Sequence, residues 1–116
     1  MLSWILRGLR TGVRTTRYPN RPESQPLRAA PQVDPRRIRA ADCRSLAEVC
    51  PTGAFACRET PNEMILTLDY ARCIFCGLCA EAVPAVVQMS HDYELASLHR
   101  EDLVTEFVFP GVGHGR

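Results

Sequence analysis

The chain has 116 residues and a mass of 13.0 kDa, room for one small domain with extensions but not for two independent cores. All 14 basic side chains are Arg against 13 acidic ones, and a net charge of +1 argues against a nucleic-acid binder. The balance hides a split: nine Arg fall in residues 1–40, where only Glu23 and Asp34 oppose them, whereas the remainder carries 11 acidic side chains against five Arg. Six Cys, about 5% of the residues, stay below the roughly 8–10% of a disulfide scaffold, and the opening residues are not expected to act as a secretory signal. A reduced compartment, with thiols kept for metal, is the expectation.

No apolar run reaches the ~20 residues of a spanning helix, because Arg7 interrupts the opening stretch. On a helical wheel over residues 2–17, Leu2, Ile5, Leu6, Leu9 and Val13 share one face, beside a stripe of Arg7, Arg10, Arg14 and Arg17. The pattern predicts an amphipathic helix over residues 1–18 that lies on a membrane surface, with Trp4 near its start. A cleaved presequence and a partner-docking end are the alternatives, since residues 1–22 contain no Asp or Glu. Residues 19–37 hold Pro19, Pro22, Pro26, Pro31 and Pro35, which forbid a continuing helix and predict an extended linker or a strap laid on another subunit.

Residues 38–91 carry the chemistry. Cys73, Cys76 and Cys79 stand at C-x2-C-x2-C spacing, the opening of the bacterial ferredoxin run that closes with Cys-Pro. Here the closing pair reads Val83-Pro84. Shifting the chain by 33 residues restores sense: Arg39 overlays Arg72, Cys43 overlays Cys76, Ala47-Glu48 overlays Ala80-Glu81, and Pro51 overlays Pro84. The four ligand positions are then Ala40, Cys43, Leu46 and Cys50 in the first copy, and Cys73, Cys76, Cys79 and Val83 in the second.

In two-cluster ferredoxins each copy gives three ligands to one cluster and its pre-proline Cys to the other. Sorted in that way, Cys50, Cys73, Cys76 and Cys79 make one complete set, while Ala40, Cys43, Leu46 and Val83 leave a single thiol among apolar side chains. The expectation is one 4Fe-4S cluster and one abolished site, with Cys43 packed there as a small hydrophobe. Zinc is the competing metal, although structural zinc sites use paired Cys knuckles; disulfides or free thiols are the remaining alternative. Cys57 is a substitute fourth ligand should Cys50 point away, and His91 reads as a surface residue.

Residues 54–58 and 64–69 alternate around a polar turn and predict a β-hairpin; residues 86–90 offer a further strand. With a short helix after each Cys loop this is an α+β, ferredoxin-like fold, a two-cluster ferredoxin sandwich with one site lost. Residues 92–116 carry Tyr93, Leu95, Leu98, Leu103, Phe107, Val108 and Phe109 and predict a tail docked on a partner subunit.

Tyr18-Pro19 after the amphipathic start, Arg72-Cys73-Ile74-Phe75-Cys76-Gly77, and Tyr93-Glu94-Leu95-Ala96 followed by Arg100-Glu101-Asp102 are the residues of a family resemblance. Over residues 1–107 the chain resembles the ferredoxin-like iron-sulfur subunit of formate-hydrogenlyase-type membrane nickel-iron hydrogenases, and more distantly the two-cluster subunit of respiratory complex I. The resemblance implies a non-catalytic electron-transfer subunit, peripheral on the cytoplasmic face of the inner membrane, with hydrogenase or complex I-like subunits as partners. It implies no small-molecule substrate and no nucleic acid. A structural or assembly subunit is the alternative from another class. Where the family holds two clusters, Ala40, Leu46 and Val83 leave this chain without the ligands of one.

Overall fold

A computed structural model of the chain describes residues 2–15 and 27–110. Helix α1 spans Leu2–Thr11, shorter than the 2–17 window; Gly12, at φ +64°, turns the backbone out of the helix. Every described residue of 2–15 is exposed, and Thr11 Oγ1 donates back to the Arg7 carbonyl. Residues 16–26, which hold Tyr18-Pro19 and most of the proline-rich stretch, lie outside the described residues, as do residues 111–116.

The rest of the proline-rich stretch is not a free linker. Pro31–Val33 forms β1 and pairs antiparallel with β4, Val87–Met89, in the register Gln32 to Gln88. Pro31 opens the strand of a two-stranded ribbon, a position where its missing N–H costs no ladder bond. Tyr70 Oη donates to the Pro31 carbonyl at 2.9 Å and ties this ribbon to the chain just ahead of Cys73.

Helix α2 spans Ala40–Val49. Asp42, buried in its first turn, accepts the Arg39 N–H at 3.0 Å and Arg39 Nε at 3.2 Å, satisfying a donor that a helix start would leave unpaired. The first copy of the repeat thus has no separate ligand loop. Its positions 40, 43 and 46 lie on continuous helix, whereas positions 73 and 76 of the second copy lie on irregular chain, with the short helix α3 only at Leu78–Ala82. Ala and Leu are strong helix formers, and with them in place of two thiols nothing holds the first copy out of a helix.

Strands β2, Phe55–Glu59, and β3, Glu63–Asp69, form the predicted hairpin, with Phe55 opposite Leu68 and Glu59 opposite Met64. The tail supplies an unforeseen third strand. β5, Val104–Pro110, pairs antiparallel with β3 along its whole length, so this part of the segment read as a docking tail extends the sheet of its own domain in the order β2-β3-β5. Met64, Leu66 and Leu68 alternate inward along β3 and pack with Phe55, Phe109, Leu46 and Val87 in one core.

Candidate metal centre

The three thiols of the C-x2-C-x2-C run are presented by chain of unusual conformation. A 3-10 turn, Tyr70–Arg72, delivers Cys73; Asp69 caps that turn by accepting the Ala71 N–H at 3.0 Å. Phe75 then sits at φ +56° and Gly77 at φ +84°, two left-handed residues within three positions. Such a φ suits glycine but strains a bulky aromatic, and strain of this kind collects at functional sites. Gly77 also starts α3, in whose first turn Cys79 lies buried.

Cys50 comes from the other copy, at the C-terminal end of α2, where Pro51 ends the helix. It lines one cavity with Cys73, Cys76 and Cys79, and Pro51, Thr52, Phe55, Phe75 and Met89 contribute to the walls. All four are free thiols: Cys79 buried, Cys50 and Cys73 half-buried, Cys76 exposed. Among the described residues no group of three or more His, Cys, Asp or Glu is gathered as for a single ion.

The surroundings favour sulfur as an acceptor. The Ala54 N–H donates to Cys50 Sγ at 3.2 Å, and Thr52 Oγ1 lies 3.6 Å from the same sulfur. Burial pushes the Cys50 thiol up, but hydrogen bonds from the Phe55, Thr52 and Ala54 backbone and from the Thr52 hydroxyl outweigh it, and Cys50 falls below the ordinary thiol value. Burial raises Cys73 and Cys79. Backbone N–H groups of Phe75 and Ala80 offset this in part, while the charges of neighbouring thiolates, Cys50 among them for Cys73, add to it. Cys73 and Cys79, whose ionisation burial and neighbouring thiolates oppose, and amide donors aimed at sulfur form a donor set that a cationic iron-sulfur centre would relieve.

The positions of the other set tell the opposite story. Ala40, Cys43, Leu46 and Val83 are all buried, at 9%, 0%, 0% and 7% exposure, within the one apolar core. Cys43 does not stay a free thiol there: it forms a disulfide with Cys57, Cα to Cα 5.6 Å, joining α2 to β2. This corrects two expectations, the packed free thiol at 43 and the spare ligand at 57. The signal lay in the alternation of β2, which puts Cys57 on the same inward side as buried Phe55, facing α2. His91 is exposed, with Nδ1 2.8 Å from the Leu27 carbonyl.

Comparison with known proteins converges on the same chemistry. Residues 66–110 match the family model described as a 4Fe-4S single cluster domain; Cys73, Cys76 and Cys79 fall inside the match and Cys50 outside it. The chain is 31% identical over 77 residues to NADH-quinone oxidoreductase subunit I 2 of Symbiobacterium thermophilum, a stretch covering 60% of this chain and 32% of that protein. It is 50% identical over 38 residues to the subunit I 2 of Geobacter metallireducens, 32% of this chain and 29% of the relative. To subunit I of Pelobacter propionicus it is 31% identical over 68 residues, 48% of this chain and 36% of the relative. The chain thus spans about a third of the length of these relatives. Residues 66–110 are thus similar to a 4Fe-4S domain, and the chain, a small α+β fold, is similar to part of NADH-quinone oxidoreductase subunit I.

Proposed function

We propose that Cys50, Cys73, Cys76 and Cys79 hold one 4Fe-4S cluster and that the chain relays electrons inside a membrane-associated complex, either complex I-like or a hydrogenase of the formate-hydrogenlyase type. The observation carrying this reading is that four free thiols from two distant stretches line one cavity, while the four positions of the other set are buried core closed by a disulfide. When bound, the cluster would take up and release one electron at a time.

The chain's own residues account for the rest. Phe55, Phe75 and Met89 line the cavity and would shield its inner side from water, and amide donors at Phe55, Phe75 and Ala80 stabilise charge on sulfur. Cys76 is exposed, flanked by exposed Ile74 and Leu78, so one edge of the ligand loop offers an apolar contact through which an electron partner would reach the thiols. With Ala40, Leu46 and Val83 in place of ligands, the relay would be one link shorter than a two-cluster path. Helix α1 sets exposed Leu2, Ile5, Leu6 and Leu9 beside Arg7 and Arg10, a surface suited to an anionic membrane. Among the described residues no helix is long and apolar enough to cross one. The protein would sit at the cytoplasmic face of the inner membrane.

Anaerobic reconstitution followed by an iron count tests the reading. Four irons per chain are expected, with a reducible paramagnetic signal. Cys50→Ala is expected to lose the cluster, and Cys43→Ala to keep it. Eight irons, bound zinc in place of iron, or a cluster that survives Cys50→Ala and fails with Cys43→Ala would overturn it.

A further inference from the structure

The segment preceding β1 pairs with residues 90–92 and sends one side chain, Arg28, to the ligand loop. Its backbone is fixed on both sides of Arg28: the Ala29 N–H donates to the Ser90 carbonyl at 3.0 Å, the Ala30 N–H to the Asp92 carbonyl at 3.2 Å, and the Leu27 carbonyl meets His91 Nδ1. From this anchored strand the Arg28 side chain reaches over Gly77. A Cβ placed on Gly77 would stand 3.0 Å from Arg28 Nη1 and 3.8 Å from its Cζ, so the guanidinium covers the one residue between Cys76 and α3 that has no side chain. Glu81, on α3, holds the same Nη1 at 3.6 Å.

Stability does not account for this arrangement. The Arg28–Glu81 pair is about two-thirds exposed at both ends, and exposed pairs contribute roughly 0–1 kcal/mol. The location of the charge matters more. A cluster bound by four thiolates carries net negative charge, and reduction adds one further electron to it without breaking a bond. A fixed cation against the ligand loop lowers the energy of the reduced form more than that of the oxidised one.

We infer that Arg28, held by Glu81 and by the strap pairing, is an electrostatic tuning residue that raises the reduction potential of the centre carried by Cys50, Cys73, Cys76 and Cys79. The inference rests on the cluster reading given above. It makes the chain ahead of the domain part of the redox centre, and it places opposing charges, Arg28 and Glu81, at the apolar rim where a partner would dock. Because Arg28 is exposed, its influence falls with added salt.

The experiment uses the reconstituted full chain, with dithionite as reductant and paramagnetic resonance as readout, titrated at low and at moderate ionic strength. Arg28→Gln is expected to shift the midpoint to lower potential, Glu81→Gln to shift it higher, and Arg28→Lys to restore most of the original value, all with unchanged iron content. The Arg28→Gln shift is expected to shrink in the higher salt. Full iron with an unmoved midpoint in Arg28→Gln overturns the inference and leaves the cluster reading standing. Iron lost from both Arg28 variants shows a packing role and overturns it as well. An unmodified chain that binds no cluster overturns both.

Discussion

Asp69 joins three parts of the molecule with one carboxylate. Its Oδ2 accepts Arg100 Nη2 at 2.6 Å and lies 3.4 Å from Arg72 Nε, while Oδ1 accepts the Ala71 N–H that starts the turn into Cys73. The Arg100 hydrogen bond holds the carboxyl below the usual carboxylate range; burial opposes this, and the Ala71 N–H with the charges of Arg100 and Arg72 supports it. A carboxyl whose pKa is lower folded than unfolded contributes stability that is complete above the unfolded value of about 3.9 and lost as pH falls through the folded one. Asp69→Asn keeps the shape and the acceptor for the Ala71 N–H, removes the charge that pairs with Arg100 and Arg72, and is expected to cost about 1 kcal/mol, the upper end for partly exposed ion pairs. In urea unfolding the gap between the two proteins should stay constant from pH 7 to about 5 and close as pH falls below the usual carboxylate range, the acid lability they share cancelling in the comparison. A gap that widens toward acid, or that never appears, would refute the role given to this carboxylate.

At the scale of elements, the first copy of the repeat runs as continuous helix α2, and the Cys43–Cys57 disulfide ties that helix to β2. The disulfide spans a sequence separation of 14 residues, and the segment it closes contains Cys50 and Pro51. A closed loop of that length is worth about 3 kcal/mol in the chain-entropy account. Cys57→Ala is therefore expected to lower the thermal midpoint by on the order of 10 °C while iron content stays that of the unmodified chain. Loss of iron in proportion to lost stability would show instead that the disulfide positions Cys50. How far these elements were legible in the sequence depended on whether their partners were local. The β2–β3 hairpin and β4 were readable because alternation and a polar turn declare them without help from distant chain. β1 has only three residues among prolines, and β5 reads Phe107-Val108-Phe109 without a clean period; both owe their strand form to the distant strands they pair with. The four cavity thiols were legible because the repeat encodes which copy supplies each position. Arg28 over Gly77 follows only from packing, whereas for the bond between Cys43 and Cys57 the alternation of β2 gave the inward side of Cys57 and packing gave its partner.

Across the whole molecule, the two charge regions are set to act in opposite senses at a negatively charged surface. Residues 41–116 carry 11 acidic side chains against five Arg and would be repelled, whereas Arg7, Arg10 and Arg14 stand in a stretch free of Asp and Glu and would be drawn in. At such a surface the exposed apolar side of α1 would be buried, and its two glycines, Gly8 within the helix and Gly12 just after it, lower the helicity it would have without that support. Near an anionic leaflet each Arg contributes about 1 kcal/mol, so changing Arg7, Arg10 and Arg14 together to Gln should weaken partition onto vesicles containing phosphatidylserine by about two orders of magnitude. Deleting residues 1–15 should abolish it, and raising salt should weaken the unmodified chain while leaving the triple variant nearly unchanged. Co-sedimentation of the reconstituted protein with vesicles measures all three. Equal binding to neutral and anionic vesicles, or binding that survives the deletion, would mean that another part of the surface makes the contact and that α1 meets a protein rather than a lipid.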